Sequence, residues 1–517
     1  MRSRERGMLP SMAIPGNSYV AATIVLILAI MLLTLVRISH YPLFIDPYYH
    51  LSIMRLFDAA GGITSWDSLQ FAPWGRPLLY PPLFPVLLSI PFAIGISPLS
   101  IAQGSSASVY PLTLIVVAYV TYSFYGARSA FLATLFTASL WMFMYKSSYL
   151  MPSSLAYVFI LLSYLCIHRG RWIAAALLLS GAFYTHLSLP HICVVPLLAW
   201  AAIDSTARRS IVRSLALAYV LFIPWGVHLA TNMGFIHSRS IVGYGTLNIV
   251  VALLAILGLA VSIDLVRAGQ RRYVLFPALV CSLLVIVPYY SHRFFFHAVI
   301  PLSILAAIGL DRALESLTSL MPERGALLST GVIVVMMIFS LCGAVVYEEG
   351  YSDDGTDIIE HRRMFIQESA LMRLATGNIP AQSYVSNNDI ITIVEAIREH
   401  TSPDDIILVD TGPLACVVTS LTGRATTNGM FKEVAPLETS YRKLPPLRAY
   451  LVRFRIEGTD PTHTVVATES LSLVVREDDE EFASRSVPSP SVPYAVAYAF
   501  VCLWALITIQ DTWWKKT

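Results

Sequence analysis

The chain has little charge for its length. Only 13% of its 517 residues are Asp, Glu, Lys or Arg and 56% are hydrophobic, whereas about a quarter of the residues in a soluble domain are charged. Uncharged segments such as 19–36, 245–263 and 325–347 account for the deficit, and about 20 apolar residues are enough to cross a bilayer. The composition therefore excludes an ordinary soluble protein and predicts a polytopic α-helical membrane protein.

Three further absences narrow the class of protein. The sequence has no dense basic cluster, so nucleic acid is not an expected partner. The apolar segment that follows the basic residues 1–6 is too long for a signal peptide and has no small-residue cleavage site, which predicts a first membrane span. Only Cys416 lies outside the apolar segments, so a disulfide framework is excluded from the soluble part.

The apolar segments and the arginines between them predict a topology. The predicted spans are 18–36, 109–125, 129–146, 154–167, 172–187, 189–203, 213–230, 245–266, 273–290, 295–311, 325–347 and 493–510. Alternate loops carry arginines, for example Arg128, Arg169 and Arg208, and positively charged loops stay in the cytoplasm. This pattern predicts a multi-pass protein of the cell (plasma) membrane with both termini in the cytoplasm and residues 38–108 and 348–490 outside.

The segment 83–96 decides whether that topology holds. It is apolar but short, and two prolines interrupt it, so we expect it to lie in the interface or to re-enter instead of crossing. The predicted domains are then a transmembrane domain over residues 1–347, with about 11 spans and a large first outer loop, and an external domain over 348–490. A C-terminal transmembrane helix and a cytoplasmic tail follow over 491–517.

The external region mixes helical and strand patterns. Apolar residues at helical spacing predict an amphipathic helix over 389–399, and 414–421 has a similar pattern. The predicted strands are 406–409, 448–456 and 464–467. This region is therefore predicted to be one outward-facing α/β soluble domain. Asp410, at the end of the first strand, is placed where α/β folds bind ligands, but no glycine-rich phosphate loop accompanies it.

The most informative segment follows the first span and reads Asp46-Pro47-Tyr48-Tyr49-His50. Asp followed by Pro predicts a helix start, and apolar residues at helical spacing place this helix along the membrane surface. A carboxylate there can accept a proton or bind a divalent cation, so Asp46 is a candidate catalytic base and a candidate metal ligand. The alternative is that Asp46 only caps the helix. Tyr49 and His50 are candidate substrate contacts, with an interfacial aromatic belt as the alternative for the tyrosines.

Two arginines are candidate contacts for a donor phosphate. Arg293 follows the predicted span 273–290 at headgroup depth, where a guanidinium can donate a forked pair of hydrogen bonds to phosphate. The alternative is an arginine that only extends its charge to the interface. Arg76 lies in the first outer loop with Asp67 and Tyr80, which are further candidate substrate contacts. Simple solvation is the alternative for Arg76.

These segments together resemble the catalytic subunits of oligosaccharyltransferases of the archaeal type. Residues 46–50 match the family's Asp-Pro-Tyr-Tyr-His signature, and 80–83 are similar to the continuation of its first outer loop. The segment 293–306 resembles the one whose arginine contacts the lipid pyrophosphate, and 404–429 resembles the start of the family's outer domain. The resemblance implies a GT-C type fold and a lipid-phosphate-linked sugar donor.

The sequence departs from that family in three motifs. Residues 151–154 have no carboxylate where the family has a second acidic motif, and 408–412 lack both tryptophans of the Trp-Trp-Asp-Tyr-Gly motif. The segment 231–243 has no acidic residue where the family has a glutamate that contacts the acceptor asparagine. With one carboxylate, a site for Mg²⁺ or Mn²⁺ is incomplete unless substrate phosphate supplies further oxygen ligands.

The sequence therefore predicts a GT-C membrane glycosyltransferase. It would transfer a sugar, with inversion, from a polyprenyl(dolichyl)-phosphate-linked donor to an acceptor on the outer face, with Asp46 as the base and Arg293 on the donor phosphate. Mg²⁺ or Mn²⁺ is the one cofactor considered, and the expected partners are the donor lipid and the lipid bilayer. Two alternatives stay open: a divergent dolichyl-diphosphooligosaccharide–protein glycosyltransferase, and an inactive relative that binds glycolipid or acts as a scaffold.

Overall fold

Helices dominate the computed structural model. It describes residues 16–43, 46–149, 151–236, 243–321, 324–353, 358–379, 387–409, 411–431, 449–454, 464–467, 471–476 and 489–513. The α-helices are α1 Gly16–Val36, α2 Asp46–Ala60, α3 Leu83–Ala93, α4 Pro98–Tyr125, α5 Ala127–Ser139, α6 Trp141–Tyr149, α7 Met151–His168, α8 Trp172–Phe183, α9 Leu189–Ile192, α10 Val194–Ile203, α11 Ser205–Thr231, α12 Ile249–Arg267, α13 Leu275–Leu283, α14 Val287–Leu320, α15 Gly325–Cys342, α16 Ala370–Thr376, α17 Asn387–His400, α18 Gly412–Thr422 and α19 Tyr494–Trp513. The strands are β1 Gly62–Ile63, β2 Trp66–Asp67, β3 Arg76–Pro77, β4 Gly243–Asn248, β5 Gly343–Asp353, β6 Ile358–Glu368, β7 Ile406–Val409, β8 Ala425–Thr426, β9 Ala449–Phe454, β10 Thr464–Ala467, β11 Leu471–Arg476 and β12 Val492–Pro493.

The long apolar helices confirm the prediction of a polytopic membrane protein. Within the described ranges, seven are long and apolar enough to cross a membrane: α1, α4, α7, α11, α12, α14 from Arg293 onward, and α15. Shorter apolar helices cover the predicted spans 172–187, 189–203 and 493–510. Helix α3 has 11 residues, so its length of about 16 Å is too short to cross, as predicted for this segment.

The predicted span 129–146 is not one straight helix. It forms two helices, α5 and α6, whose axes differ by 71°. Leu140 between them is extended. Tyr110 on α4 donates a hydrogen bond of 2.6 Å to the carbonyl oxygen of Ala138, one of the groups that the end of a helix leaves without an intrahelical partner. The apolar sequence carries no signal for this bend, because another helix supplies the stabilising contact.

Close packing and an ion-pair cluster hold the transmembrane helices together. Helices α12 and α14 cross at Gly258 and Gly309, where a Cβ atom on either glycine would overlap the backbone of the other helix. Small residues at such crossings let two helices approach closely. At another contact, Arg128 on α5 forms an ion pair with Asp311 on α14, and its Nη2 lies 3.5 Å from Glu315. Both contacts position α14, which carries Arg293.

Helix α2 is enclosed by the rest of the protein on more than its apolar face. It spans Asp46–Ala60, as predicted. The sequence pattern predicts one buried face, yet Tyr48 and His50, outside that face, are buried as well. Helix α18 of the C-terminal domain packs against α2, and Arg55 donates a hydrogen bond of 3.0 Å to the carbonyl oxygen of Ser420. The predicted exposed face of α2 is therefore absent, because a distant part of the chain covers the helix.

The C-terminal region confirms the predicted α/β domain. Its five-stranded sheet has the order β10–β11–β9–β7–β8, with β7 parallel to β8 and β9 and the other pairs antiparallel. Buried apolar side chains of α17, α18, β7 and β11 form a core. Each predicted helix and strand is present with bounds shifted by at most two residues, while the short β8 and β11 were not predicted.

A second sheet of three antiparallel strands, β4–β5–β6, connects distant parts of the chain. Strand β5 starts at Gly343, so the predicted span 325–347 ends at Cys342. Gly343 has φ 144°, and a Cβ atom there would lie 2.4 Å from the carbonyl oxygen of Gln367. Likewise the predicted span 245–266 begins as strand β4, and helix α12 starts only at Ile249. Pairing between β4 and β5 joins segments about 100 residues apart, which local sequence patterns do not encode.

Candidate functional site

Asp46 is the first residue of α2, and Pro47 follows it in the first helical turn. Only 5% of Asp46 is exposed. The N-terminus of a helix carries partial positive charge, which stabilises a carboxylate placed there. The position thus suits both interpretations of Asp46 that the sequence leaves open, a capping group and an ionised base in a sheltered site.

Aromatic and imidazole rings surround this end of α2. The ring centroids of Tyr49 and His50 lie 6.0 and 5.0 Å from that of Tyr80, and Phe431 of the C-terminal domain lies 4.5 Å from Tyr49. Burial lowers the pKa of His50 to about 3, so this imidazole is neutral near pH 7. The structure therefore brings three predicted substrate contacts, Tyr49, His50 and Tyr80, into one cluster.

Tyr80 connects Asp46 to Arg293. Burial raises the pKa of Tyr80 well above its usual range, Tyr49 and Asp46 add to the increase, and the guanidinium of Arg293 opposes it. The Tyr80 hydroxyl is therefore within electrostatic reach of both the carboxylate and the guanidinium. Asp46 of α2 and Arg293 of α14, the predicted base and the predicted phosphate contact, are thus both near Tyr80.

Histidines extend the site along α14. Arg293 and His297 are four residues apart on α14, a spacing that puts two side chains on the same helical face. The ring of His297 lies 6.0 Å from that of His186, which lies 6.2 Å from Tyr80. His186, in the loop between α8 and α9, also interacts electrostatically with Arg293. His186 was not predicted from the sequence.

Lys146 on α6 brings a second positive charge to the site. It is 0% exposed, its Nζ lies 4.5 Å from the ring centroid of Tyr157, and it interacts electrostatically with Arg293. Tyr157 in turn donates a hydrogen bond of 2.6 Å to the carbonyl oxygen of His297. The bend between α5 and α6 therefore turns Lys146 into the protein, next to the helix that carries Arg293.

The sequence did contain a signal for Lys146. Between Arg128 and Arg169 it is the sole Lys, Arg, Asp or Glu, and an ionisable residue within apolar sequence indicates a functional position. Lys146 is instead the last residue of the predicted span 129–146, and no role was predicted for it. Asp410, the predicted ligand position in the α/β domain, lies outside the described residues.

Arg76 and Asp67 form a separate buried network. The Arg76 Nε lies 3.5 Å from Asp67, its Nη1 donates to the carbonyl oxygen of Phe431 at 2.9 Å, and its Nη2 donates to Gln70 at 3.1 Å. Asp67 also accepts hydrogen bonds from the backbone N–H groups of Leu69 and Gln70. Burial raises the pKa of Asp67, and Arg76 opposes the increase. These contacts favour a structural role for the pair, which joins the first outer loop to the C-terminal domain.

Proteins of known structure share this architecture. No family model and no curated protein sequence matches the chain. The archaeal oligosaccharyltransferase AglB from Archaeoglobus fulgidus, in complex with an inhibitory peptide and a dolichol-phosphate, matches with a TM-score of 0.58 and 10% identity over 84% of this chain and 69% of its own. ArnT from Cupriavidus metallidurans, bound to undecaprenyl phosphate, matches with a TM-score of 0.55 and 13% identity over 89% of this chain and 98% of its own.

The chain has the fold of the GT-C glycosyltransferases, a polytopic helical membrane domain with an α/β soluble domain. AglB and ArnT both have this fold, and the chain covers almost all of ArnT but only about two thirds of AglB. The predicted fold class is therefore confirmed. At these low identities the likeness establishes the fold, and the site residues have to be argued from their own geometry.

The residues at the site do not fit a divalent cation. The Archaeoglobus fulgidus oligosaccharyltransferase is also known in complex with Zn and sulfate, and it matches with a TM-score of 0.53 and 11% identity over 79% of this chain and 64% of its own. In the part of this chain that the structure describes, no group of three His, Cys, Asp or Glu side chains could hold a metal ion. Lys146 and Arg293, which both act on His186, instead supply positive charge to the site, and positive charge repels a metal ion.

Proposed function

We propose that the protein is a membrane glycosyltransferase that takes a sugar from a polyprenyl-phosphate-linked donor. The observation that carries the proposal is that ring contacts through Tyr80 and His186 link α2, which begins at Asp46, to the face of α14 that carries Arg293. Tyr80 is also within electrostatic reach of both Asp46 and Arg293. A proton acceptor and a phosphate-binding cation in one sheltered site are the groups that this transfer requires. AglB with a dolichol-phosphate and ArnT with undecaprenyl phosphate, which share the fold, hold lipids of the same chemical class.

In the proposed reaction, a nucleophile of the acceptor attacks the anomeric carbon of the sugar from the side opposite the phosphate, so the configuration inverts. Asp46 accepts the proton of the nucleophile as the new bond to the anomeric carbon forms. The bond between that carbon and the phosphate oxygen breaks, and its electron pair stays on the lipid phosphate. Arg293 stabilises the negative charge that develops there.

An apolar groove beside the site fits the polyprenyl chain of the donor. Helices α3, α8 and α19 line a cavity of about 260 Å³, with mainly apolar side chains. Two residues that line the groove are close to the site in the chain: Leu83 lies three residues after Tyr80, and Tyr184 lies two residues before His186. Trp504 of α19 closes its far wall and donates a hydrogen bond of 2.8 Å to the carbonyl oxygen of Leu177. We assign this groove to the first isoprene units of the donor.

Asp46→Asn is the experiment that tests the proposal. Asparagine caps a helix about as well as aspartate, but it cannot accept the proton. We expect turnover of the donor to fall about 100-fold or more, while donor binding and thermal stability stay nearly unchanged. The assay is release of the polyprenyl phosphate or diphosphate by purified protein in nanodiscs, with a panel of lipid-linked sugars and candidate acceptors.

The same assay separates the alternatives. Near-normal turnover by Asp46→Asn would reduce Asp46 to a capping residue. Turnover only with a diphosphate-linked oligosaccharide and a peptide acceptor would identify a divergent oligosaccharyltransferase. Donor binding without turnover by the wild type would identify an inactive glycolipid-binding relative.

A further inference from the structure

Lys146 occupies a costly position for a positive charge. It is fully buried, and its Nζ has no hydrogen-bond acceptor among the residues that the structure describes. Taking an ammonium group out of water is unfavourable unless an anion or several acceptors compensate it. The ring of Tyr157, 4.5 Å from Nζ, compensates only part of this cost.

The neighbouring groups increase the cost. Lys146 and Arg293 interact electrostatically, and both act on His186. Like charges repel strongly where water is excluded. Across the described ranges, Lys146 forms no ion pair with a carboxylate. An anion that binds between Lys146 and Arg293 would remove both the repulsion and the uncompensated charge.

Contacts on two sides hold Lys146 of α6 in place. Ser148, two residues after Lys146, accepts a hydrogen bond of 2.8 Å from the backbone N–H of Leu43, in the segment that leads to Asp46. On the other side, Tyr157 bonds to the carbonyl oxygen of His297 on α14. These contacts hold Lys146 between the segment that leads to α2 and the helix that carries Arg293.

We propose that Lys146 and Arg293 together bind the donor phosphate, and that Lys146 supplies the positive charge that a divalent cation would otherwise supply. Donor binding is then independent of metal. This inference rests on the proposed function, because it takes the anion to be a polyprenyl phosphate headgroup. It agrees with the side chains of the described residues, which include no group of three His, Cys, Asp or Glu that could hold a divalent cation.

Lys146→Met tests the inference, because methionine keeps an unbranched side chain and removes the charge. The measurement is affinity for undecaprenyl phosphate in nanodiscs with EDTA present. We expect the wild type to bind and Lys146→Met to bind about tenfold to a hundredfold more weakly. Arg169→Met is the matched control. Arg169 is exposed and forms its own cation–π contact, 5.3 Å from the ring of Tyr119. The Arg169→Met variant should therefore bind undecaprenyl phosphate as the wild type does.

Thermal unfolding separates ligand binding from a structural role. Removal of an uncompensated buried charge is often neutral or stabilising, so ligand-free Lys146→Met should melt at the wild-type temperature or above it. Undecaprenyl phosphate should raise the melting temperature of the wild type and not that of the variant. A lower melting temperature with an unchanged lipid effect would make Lys146 a structural residue and overturn the inference.

The remaining outcomes distinguish the inference from the proposed function. No binding of undecaprenyl phosphate by the wild type, with EDTA or with Mg²⁺, would overturn both. Binding by the wild type that requires Mg²⁺, or equal affinity in Lys146→Met, would overturn only the role of Lys146. Inorganic phosphate is the second probe, and binding as tight as that of the lipid would assign the site to free phosphate and overturn the donor assignment.

Discussion

Two buried cationic clusters lie close to α2, and the protein compensates their charges differently. The guanidinium of Arg76 is paired with Asp67 and donates hydrogen bonds to Gln70 and to the backbone of Phe431. Lys146 faces an aromatic ring and a second cation, and its Nζ has no acceptor in the described part of the chain. The charge of Arg76 is thus compensated by protein groups, whereas a bound anion would compensate the charge of Lys146.

The comparison shows that burial of a cation does not by itself identify a binding site. Arg76 and Lys146 are both almost fully buried, but of the two only Arg76 has a counter-charge among the residues that the structure describes. A buried cation whose charge is compensated within the protein gains little from binding an anion. An uncompensated buried charge costs free energy, and a bound anion can offset that cost. From the sequence, Arg76 was predicted to contact phosphate and Lys146 had no predicted role. The pattern of charge compensation favours Lys146 instead.

The largest expected effect is on stability, at the first cluster. Arg76→Met should destabilise the protein by about 3–5 kcal/mol, because it leaves the buried carboxylate of Asp67 without its partner. Thermal unfolding in detergent measures the change. Donor affinity of the protein that remains folded should stay within about twofold of the wild type, since we place Arg76 outside the phosphate site.

The double variant Asp67→Asn/Arg76→Met is the control for this prediction. Asparagine can still accept the backbone hydrogen bonds of Leu69 and Gln70, and no unpaired charge remains. It should therefore be more stable than Arg76→Met alone, as expected for two residues that interact directly. A stable Arg76→Met protein that had lost donor binding would return Arg76 to the phosphate site and remove the contrast between the clusters.

A smaller effect, on affinity, is expected at the second cluster. A charge-assisted hydrogen bond contributes about 1.5–3 kcal/mol, so Arg293→Ala should weaken binding of the donor lipid about tenfold to a hundredfold. Arg293→Lys should lie between the alanine variant and the wild type, because lysine keeps the charge but loses the planar fork. Affinity for undecaprenyl phosphate in nanodiscs is the measurement.

His292→Ala serves as the neighbouring control, since we assign His292 no phosphate role. This variant should bind the lipid nearly as well as the wild type does. If the arginine only extended its charge to the interface, lysine would replace it without loss. Equal affinity in the alanine, lysine and wild-type proteins would exclude Arg293 from the site.

The last prediction concerns the side of the membrane on which the clusters lie. Its substitutions should change neither stability nor affinity. The arginine pattern predicts that the loop carrying Asp67 and Arg76 is outside. In a background where the exposed Cys281, Cys342 and Cys502 are replaced by serine, an impermeant thiol reagent should label Ser65→Cys in intact cells.

Ser319→Cys, near the end of α14 that we place in the cytoplasm, should be labelled only after permeabilisation. Both serines are exposed, so a difference in labelling reports the side of the membrane. The opposite pattern would invert the topology and place the proposed transfer on the cytoplasmic face.

The sequence by itself determined the class of fold and most of its helices. Spans such as α1 and α4 follow from some 20 consecutive apolar residues, and α2 starts at Asp46 because Asp and Pro favour a helix N-terminus. The strands β7, β9 and β10 follow from short apolar segments. Asp46 and Arg293 were also proposed as site residues, from residue type, position and the family resemblance, and their roles stay predictions. All of these depend on patterns within a few neighbouring residues.

Only the tertiary structure decided how those residues combine. At the bend at Leu140, Tyr110 on another helix donates a hydrogen bond to the end of α5, and α18 packs against α2 and encloses it. The same holds for the cations: Arg76 is neutralised by contacts with Asp67 and with a residue 355 positions away, and Lys146 reaches Arg293 only through the bend. Charge compensation is a property of groups brought together in space, so residues distant in the chain determine it and local patterns do not.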